Sequence, residues 1–275
     1  MNELSLFTGI GGGILGGVLC GWRTVCAVEI DPYCRAVLCQ RQNDGILPPF
    51  PIWDDIRTFD GKPWRGRVDV VSGGFPCQPH SNAGKQLHEK DPRDLWPETA
   101  HVISDVMPKH VLLENVPGIL SYLPVVIRDL RRIGYTVERP CIVASASVGA
   151  GHIRKRVWIC AHLDTERQEN ASGESATEES ENIRSAVGVG DCSKIPPDRN
   201  KKRKLQPEGS KQKQREWIGD CSWWKAEPNL DRVVYGIPFG MDRIGALGNA
   251  QVPAVARLAW EVLAIDNQVK SPRGA

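Results

Sequence analysis

The sequence predicts an α/β fold built on an open, doubly wound, mostly parallel sheet, with a segment of different composition inserted late in the chain. Three observations predict it. Leu4-Ser5-Leu6-Phe7 is a short apolar run that gives way to Thr8-Gly9-Ile10-Gly11-Gly12-Gly13 and then to Ile14-Leu15 and Val18-Leu19. Strand, glycine loop and helix is the nucleotide-binding opening of such a sheet. A second run, Thr24 to Val28, ends in the acid Glu29 and is followed by Ile30-Asp31-Pro32 and a helix from about Tyr33 to Gln40. Two further apolar runs, Val68-Asp69-Val70-Val71 and Val111-Leu112-Leu113, read as strands covered on both faces.

Each element has its own warrant. Glycines at the end of the first strand let the backbone approach a ligand, although Gly11-x-Gly13-x-x-Gly16 also suits a plain tight turn. An acid at the tip of the second strand can accept hydrogen bonds from both hydroxyls of a ribose. Asp54-Asp55-Ile56 follows, with Asp55 placed either to meet a ligand or to cap a turn. The Val68–Val71 strand stops at Ser72-Gly73-Gly74 and opens into Phe75-Pro76-Cys77-Gln78-Pro79-His80-Ser81, at the edge where open α/β sheets place their active sites. Cys77 directly follows a proline, so its thiol sits on a stiff turn; a thiol is the best ordinary nucleophile once a base or a lowered pKa makes it a thiolate.

Asp91-Pro92-Arg93-Asp94 predicts the start of a helix that runs to about Met107, with proline and acids in its first turn. The strand after it delivers Glu114 at its C-terminal end, where burial lets a carboxyl hold a proton near neutrality. Val125 to Ile133 has helical apolar spacing with Arg128, Arg131 and Arg132 outside, and Gly134–Val137 and Cys141–Val143 read as strands. Alternation from Ile153 into Val157-Trp158-Ile159 aims Arg154 and Arg156 to the same side.

The whole chain sets bounds. At 275 residues it is one large domain, or one domain with a smaller insertion, and 41% hydrophobic residues suffice for a substantial core. A formal charge of +2 is nearly neutral, so any affinity for nucleic acid must come from local clusters. Nine cysteines, an odd number, show no Cys-x-x-Cys pair or zinc spacing, which suggests a reducing compartment, no disulfide framework and no metal site. With no leader-like N-terminus and no apolar run long enough to cross a bilayer, a cytoplasmic protein without membrane contact is expected.

Gly73-Gly74-Phe75-Pro76-Cys77-Gln78, Glu114-Asn115-Val116, Arg154-x-Arg156 and Gly248-Asn249-Ala250…Val252-Pro253, in that order, resemble the motifs of the cytosine-C5 DNA methyltransferases. The resemblance covers residues 4–162 and about 228–262. One departure is His152, which stands where that family usually has glutamine. The family's fold is a Rossmann-like, S-adenosylmethionine-dependent methyltransferase sheet. The resemblance implies S-adenosyl-L-methionine as cofactor, held by Phe7, Gly9, Gly11, Gly12, Glu29, Ile30, Asp55, Ile56, Pro76, Leu95, Asn249 and Ala250. It assigns catalysis to Cys77, Glu114, Arg154 and Arg156, and contact with DNA to Gln78, Ser81 and Lys85 on a mobile loop.

The domains expected are a catalytic unit of residues 1–163 plus 228–265, a small and partly disordered target-recognition insertion over 164–227, and a flexible tail over 266–275. Within the insertion, Thr165 to Ile183 is acidic and poor in large apolar residues, whereas Lys194 to Arg215 is basic around Lys201-Lys202-Arg203-Lys204. Such composition cannot build a core, and the basic run is expected to grip phosphate and to order on double-stranded DNA. The function implied is transfer of a methyl group to C5 of a flipped-out cytosine through a covalent Cys77 adduct, by a monomer that could serve beside a cognate restriction endonuclease. Three alternatives stand beside it: the same chemistry on tRNA, a non-catalytic DNA-binding relative, and an NAD-binding oxidoreductase. The last leaves Cys77, Glu114 and the two arginines without a role.

Overall fold

A computed structural model describes residues 1–76, 94–164, 190–191 and 240–270, with the backbone alone at 190–191, 240, 241, 243, 244 and 265–270. A sheet of nine strands organises them. Its strands are β1 (Asn2–Leu6), β2 (Arg23–Val28), β3 (Ile52–Trp53), β4 (Val70–Gly73), β5 (His110–Asn115), β6 (Tyr135–Val137), β7 (Cys141–Ala144), β8 (Lys155–Leu163) and β9 (Gly190–Asp191). The order is β3-β2-β1-β4-β5-β8-β7-β9, with β6 also on β8. β1 to β5 run parallel, and β8 runs antiparallel to β5, β6 and β7. β1 lies between β2 and β4, so the chain turns outward in both directions from it and leaves a crevice at the strands' C-terminal ends.

The apolar runs become the central strands because helices cover both faces. Leu4, Leu6, Val71, Val111, Leu113 and Ile159 are buried in the larger core cluster beneath α3 (Trp96–Val106) and α4 (Leu123–Ile133). On the other face Val70, Leu112, Trp158 and Cys160 pack with Val255, Ala256 and Ala259 of α6 (Pro253–Lys270). Local chemistry sets several ends. α2 (Pro32–Asn43) starts with Pro32 in its first turn and Asp31 as cap, whose carboxylate accepts from Cys34 N at 3.0 Å. α4 closes on Gly134 in the left-handed region, φ 110°.

α1 (Gly12–Leu19) crosses α6 so closely that its glycines are packing residues. A Cβ on Gly12 would collide with the carbonyl oxygen of Gln251, and one on Gly16 would stand 2.6 Å from Ala256 Cβ. Beneath α1 lies a buried acid, Glu3, with no exposed surface. Its oxygens accept from Ser72 Oγ at 2.5 Å and Thr24 Oγ1 at 2.7 Å.

Three boundaries differ from expectation. α3 begins at Trp96 rather than near Asp91, with Pro97 in its first turn. Asp94 stays outside the helix because its carboxylate is committed twice, to Trp96 N at 3.1 Å and to the Tyr122 hydroxyl at 2.8 Å. The Gly248–Pro253 stretch is a junction between α5 (Gly240–Asn249) and α6 rather than the start of one closing helix. α6 then continues to Lys270, so the expected tail over 266–275 is helical for its first half. Of the expected insertion, only Asp164 and the short β9 fall within the described residues; Lys201, Lys202, Arg203 and Lys204 lie outside them. No helix among the described residues is long and apolar enough to cross a membrane.

Candidate active site

A cavity of about 820 Å³ opens at the C-terminal ends of β1, β2, β4 and β5 and is closed on one side by the α5–α6 junction. Its wall holds Phe7, Gly9, Glu29, Ile30, Asp55, Ile56, Pro76 and Leu95, together with Glu114, Arg154, Arg156, Asn249 and Ala250. Gly11 and Gly12, expected to face a ligand, do not line it. Gly12 lies against the Gln251 backbone, and a Cβ on Gly11 would meet Leu38 Cδ2 at 3.0 Å. Both glycines therefore serve helix packing and the turn, where Gly11 adopts φ 90°.

At the β1–β2 side, Glu29 is buried and both its carboxylate oxygens are fixed by backbone donors. Gly9 N donates to Oε2 at 2.6 Å and Asp31 N to Oε1 at 2.8 Å. A carboxylate oxygen accepts more than one hydrogen bond, so capacity remains on the cavity side for two hydroxyls. Phe7, at the end of β1, has φ 50°, a conformation rare for an aromatic residue and costly outside a site that enforces it. Ile30 leaves 57% of its surface open and Ile56 is buried, giving the wall apolar faces.

Asp55 takes up the capping role. It accepts from Arg57 N at 3.0 Å and pairs with the Arg57 guanidinium at 2.7 Å. The Arg57 side chain beside it holds its carboxyl below the usual range.

The opposite side is built around Glu114. Its side chain is buried at the end of β5, and burial pushes its pKa up. The nearby Arg156 and Arg154 guanidinium groups, and hydrogen bonds from Arg156 and Gln251, work against that rise without cancelling it. Arg156 Nε stands 2.7 Å from Glu114 Oε1, an ion pair that crosses from β8 to β5. Arg154 does not share this contact; its Nη1 donates to the carbonyl of Gly248 and ties β8 to the end of α5.

The wall continues through Gly73, Gly74, Phe75 and Pro76, the last described residue before Cys77. A Cβ on Gly73 would stand 2.6 Å from Leu6 O, so only glycine lets β4 pass so near β1 there. Asn115 Nδ2 donates to Phe75 O at 3.0 Å while its Oδ1 accepts from Val116 N at 2.9 Å. Cys77, Gln78, Ser81 and Lys85 lie outside the described residues. His152, at the departure from the family pattern, is exposed and absent from the cavity wall.

Two contributors escaped the sequence reading. Asn115 pins the backbone just ahead of Pro76-Cys77, and its place beside Glu114 at a strand end was the available signal. Gln251 reaches both the glycine loop and Glu114, and nothing local in its sequence context points there.

A family model for C-5 cytosine-specific DNA methylase matches residues 1–236. The chain belongs to that family. Among its relatives, the Type II methyltransferase M.NgoMIV of Neisseria gonorrhoeae is 33% identical over 58% of this chain and 51% of its own length. M.PspPI of Psychrobacter sp. (strain TA137), also a Type II methyltransferase, is 38% identical over 49% of this chain and 33% of its own length. The fold is shared with a DNMT2 variant from Spodoptera frugiperda, which superposes with a TM-score of 0.51 at 21% identity, covering 72% of this chain and 56% of that one. The chain thus matches about a third to a half of the length of these curated relatives.

Proposed function

We propose that the protein transfers a methyl group from S-adenosyl-L-methionine to C5 of cytosine in double-stranded DNA. One observation carries the reading: Glu29 and the Glu114–Arg156 pair line a single cavity whose wall runs through Pro76, immediately before Cys77. The residues present suit the cofactor. Glu29 keeps acceptor capacity for a ribose, and Ile30 and Ile56 offer apolar faces to an adenine. Bound there, S-adenosylmethionine would supply an electrophilic methyl group on a sulfonium.

The chain's own residues would do the rest. C5 of cytosine is too weak a nucleophile until the ring is activated. The Cys77 thiolate adds to C6, forming the S–C6 bond; the C5=C6 pair shifts to C4=C5 and the C4=N3 pair moves onto N3, which takes the proton from Glu114 and leaves C5 nucleophilic. Burial keeps a proton on Glu114 above the pH where an ordinary glutamate loses it, as this role needs. Arg156 balances the carboxylate that remains once the proton has moved. After C5 gains the methyl group, a base removes the C5 proton, C5=C6 reforms as the thiolate leaves, and N3 returns its proton to the Glu114 carboxylate. None of these atoms is reachable in a stacked duplex, so the target base must be flipped out.

The family description names cytosine and DNA, and relatives are named Type II methyltransferases, which supports DNA as the polymer. A cognate restriction endonuclease is part of the same proposal. The test is cytosine-conversion sequencing of unmethylated genomic DNA after incubation with the full chain and S-adenosylmethionine. Protection of cytosines in a fixed context is expected. No protection of DNA, together with methylation of a tRNA substrate, would replace the proposal.

A further inference from the structure

Gln251 belongs to none of the strands and to neither helix; it sits in the junction between α5 and α6. Its amide nevertheless touches three walls of the cavity. It stands beside the Glu114 carboxylate and favours its charged form. Its Nε2 lies 3.3 Å from where a Cβ on Gly74 would stand, and Glu114 Oε2 lies 2.9 Å from that same point, so donor and carboxylate flank the stretch that leads to Cys77. Its Oε1 lies 2.6 Å from where a Cβ on Gly13 would stand, in the loop between β1 and α1. The junction itself is held by Arg154, which donates to Gly248 O.

From this geometry we infer that Gln251 is a positioning residue for Glu114, orienting its carboxylate and setting its proton affinity while bracing it against the glycine loop on the cofactor side. A carboxylate cannot donate, so the bond runs from Nε2 to Glu114, and it strengthens as Glu114 becomes charged. The other groups facing Glu114 are Arg156 at 2.7 Å and Arg154, both cationic, and both favour the same charged form. Gln251 differs from them in being neutral. It can stay in place through both protonation states of Glu114, turning its oxygen toward the carboxyl proton when Glu114 is neutral and its nitrogen toward the carboxylate when it is not. The loop glycines have a second purpose in this arrangement: side chains at 13 and 74 would occupy the space the amide needs.

The role in catalysis rests on the methyltransfer reading, but the effect on Glu114 does not, and the experiment separates them. The Glu114 carboxyl of the full chain, labelled with 13C-glutamate and assigned by its loss in Glu114→Gln, is titrated in wild type and in Gln251→Met, which keeps the volume and lacks the donor. An upward shift of about one pH unit is expected, the worth of one hydrogen bond to a charged group. Gln251→Glu, which adds a like charge, should raise the midpoint further. An unchanged midpoint in Gln251→Met overturns the inference, even if methyl transfer falls. Should the variants fail to fold, the wild-type protein still decides: the Gln251 side-chain amide 15N resonances must titrate with the Glu114 midpoint, and flat resonances overturn the inference. A wild type that shows both titration effects but no methyl transfer would leave Gln251 as the partner of Glu114 and refute only the proposed function.

Discussion

Glu3 offers the sharpest stability test, because it is an acid on β1 buried beneath α1, with no cation beside it among the described residues. Burial pushes its pKa from the ordinary 4.5 to about 7, and the hydroxyls of Ser72 and Thr24 recover only part of the cost of charging it. The folded pKa lies above the unfolded one. Folding is therefore unpenalised below about pH 4.5, loses stability as pH rises from there to about 7, and levels off above that. Taking 1.36 kcal/mol per pKa unit, the shift corresponds to roughly 3 kcal/mol of stability lost across the window. Glu3→Gln keeps the volume and removes the ionisation. Its amide can donate to one hydroxyl and accept from the other, since both hydroxyls can rotate. The expected outcome is that the variant gains on the wild type by roughly 3 kcal/mol between pH 4.5 and 8, read from urea unfolding at each pH. A stability difference that stays constant across that range would refute the assignment of a raised pKa to Glu3.

Further predictions concern the site. Glu29→Ala should weaken S-adenosylmethionine binding by roughly 100-fold, the value of two hydroxyl bonds to a carboxylate, whereas Glu29→Gln should lose less; calorimetric titration distinguishes them. Arg156→Met leaves Glu114 buried without its 2.7 Å partner, raising the Glu114 pKa further. Its destabilisation should grow as pH rises and Glu114 must charge without its partner, toward about 3 kcal/mol, as followed by thermal unfolding across a pH series. Deleting residues 168–213 should weaken DNA binding and flatten its dependence on salt. If Lys201, Lys202, Arg203 and Lys204 each rest on a phosphate, the log–log slope should lose about 0.9 per residue; an unchanged slope would remove the basic run from the interface.

How far the sequence could be read depended on the range of the interactions involved. Val70-Val71 and Val111-Leu112-Leu113 were legible as strands because both faces of the sheet are covered, so every position is apolar. Glu29 and Glu114 were legible for the same reason, since a polar residue ending such a run must stand at the sheet edge. The glycine loop meets a second demand: Gly12 passes against the Gln251 carbonyl, a contact between distant parts of the chain that no local pattern encodes. Asp91-Pro92 looks like a better helix start than Trp96-Pro97 until Tyr122 is seen to hold Asp94 outside the helix. Asp55 was legible in both of its possible roles: it caps the turn and holds Arg57 two residues on, and it also stands in the cavity wall. Gln251 was invisible because its partners lie on β5 and on the loop after β1.

The central claim is that Cys77 attacks C6 of cytosine in the cavity that Glu114 and Glu29 share. Its most direct test is incubation of the full chain with S-adenosylmethionine and duplex DNA carrying 5-fluorocytosine at the methylated position, followed by mass spectrometry of the digested complex. Fluorine cannot leave C5 as a cation, so the last step stalls and the thiol stays attached. The account predicts a methylated, fluorinated cytosine linked to the peptide that contains Cys77, and no such product from Cys77→Ala. Methyl transfer to normal DNA by Cys77→Ala, or an adduct on another cysteine, would contradict it.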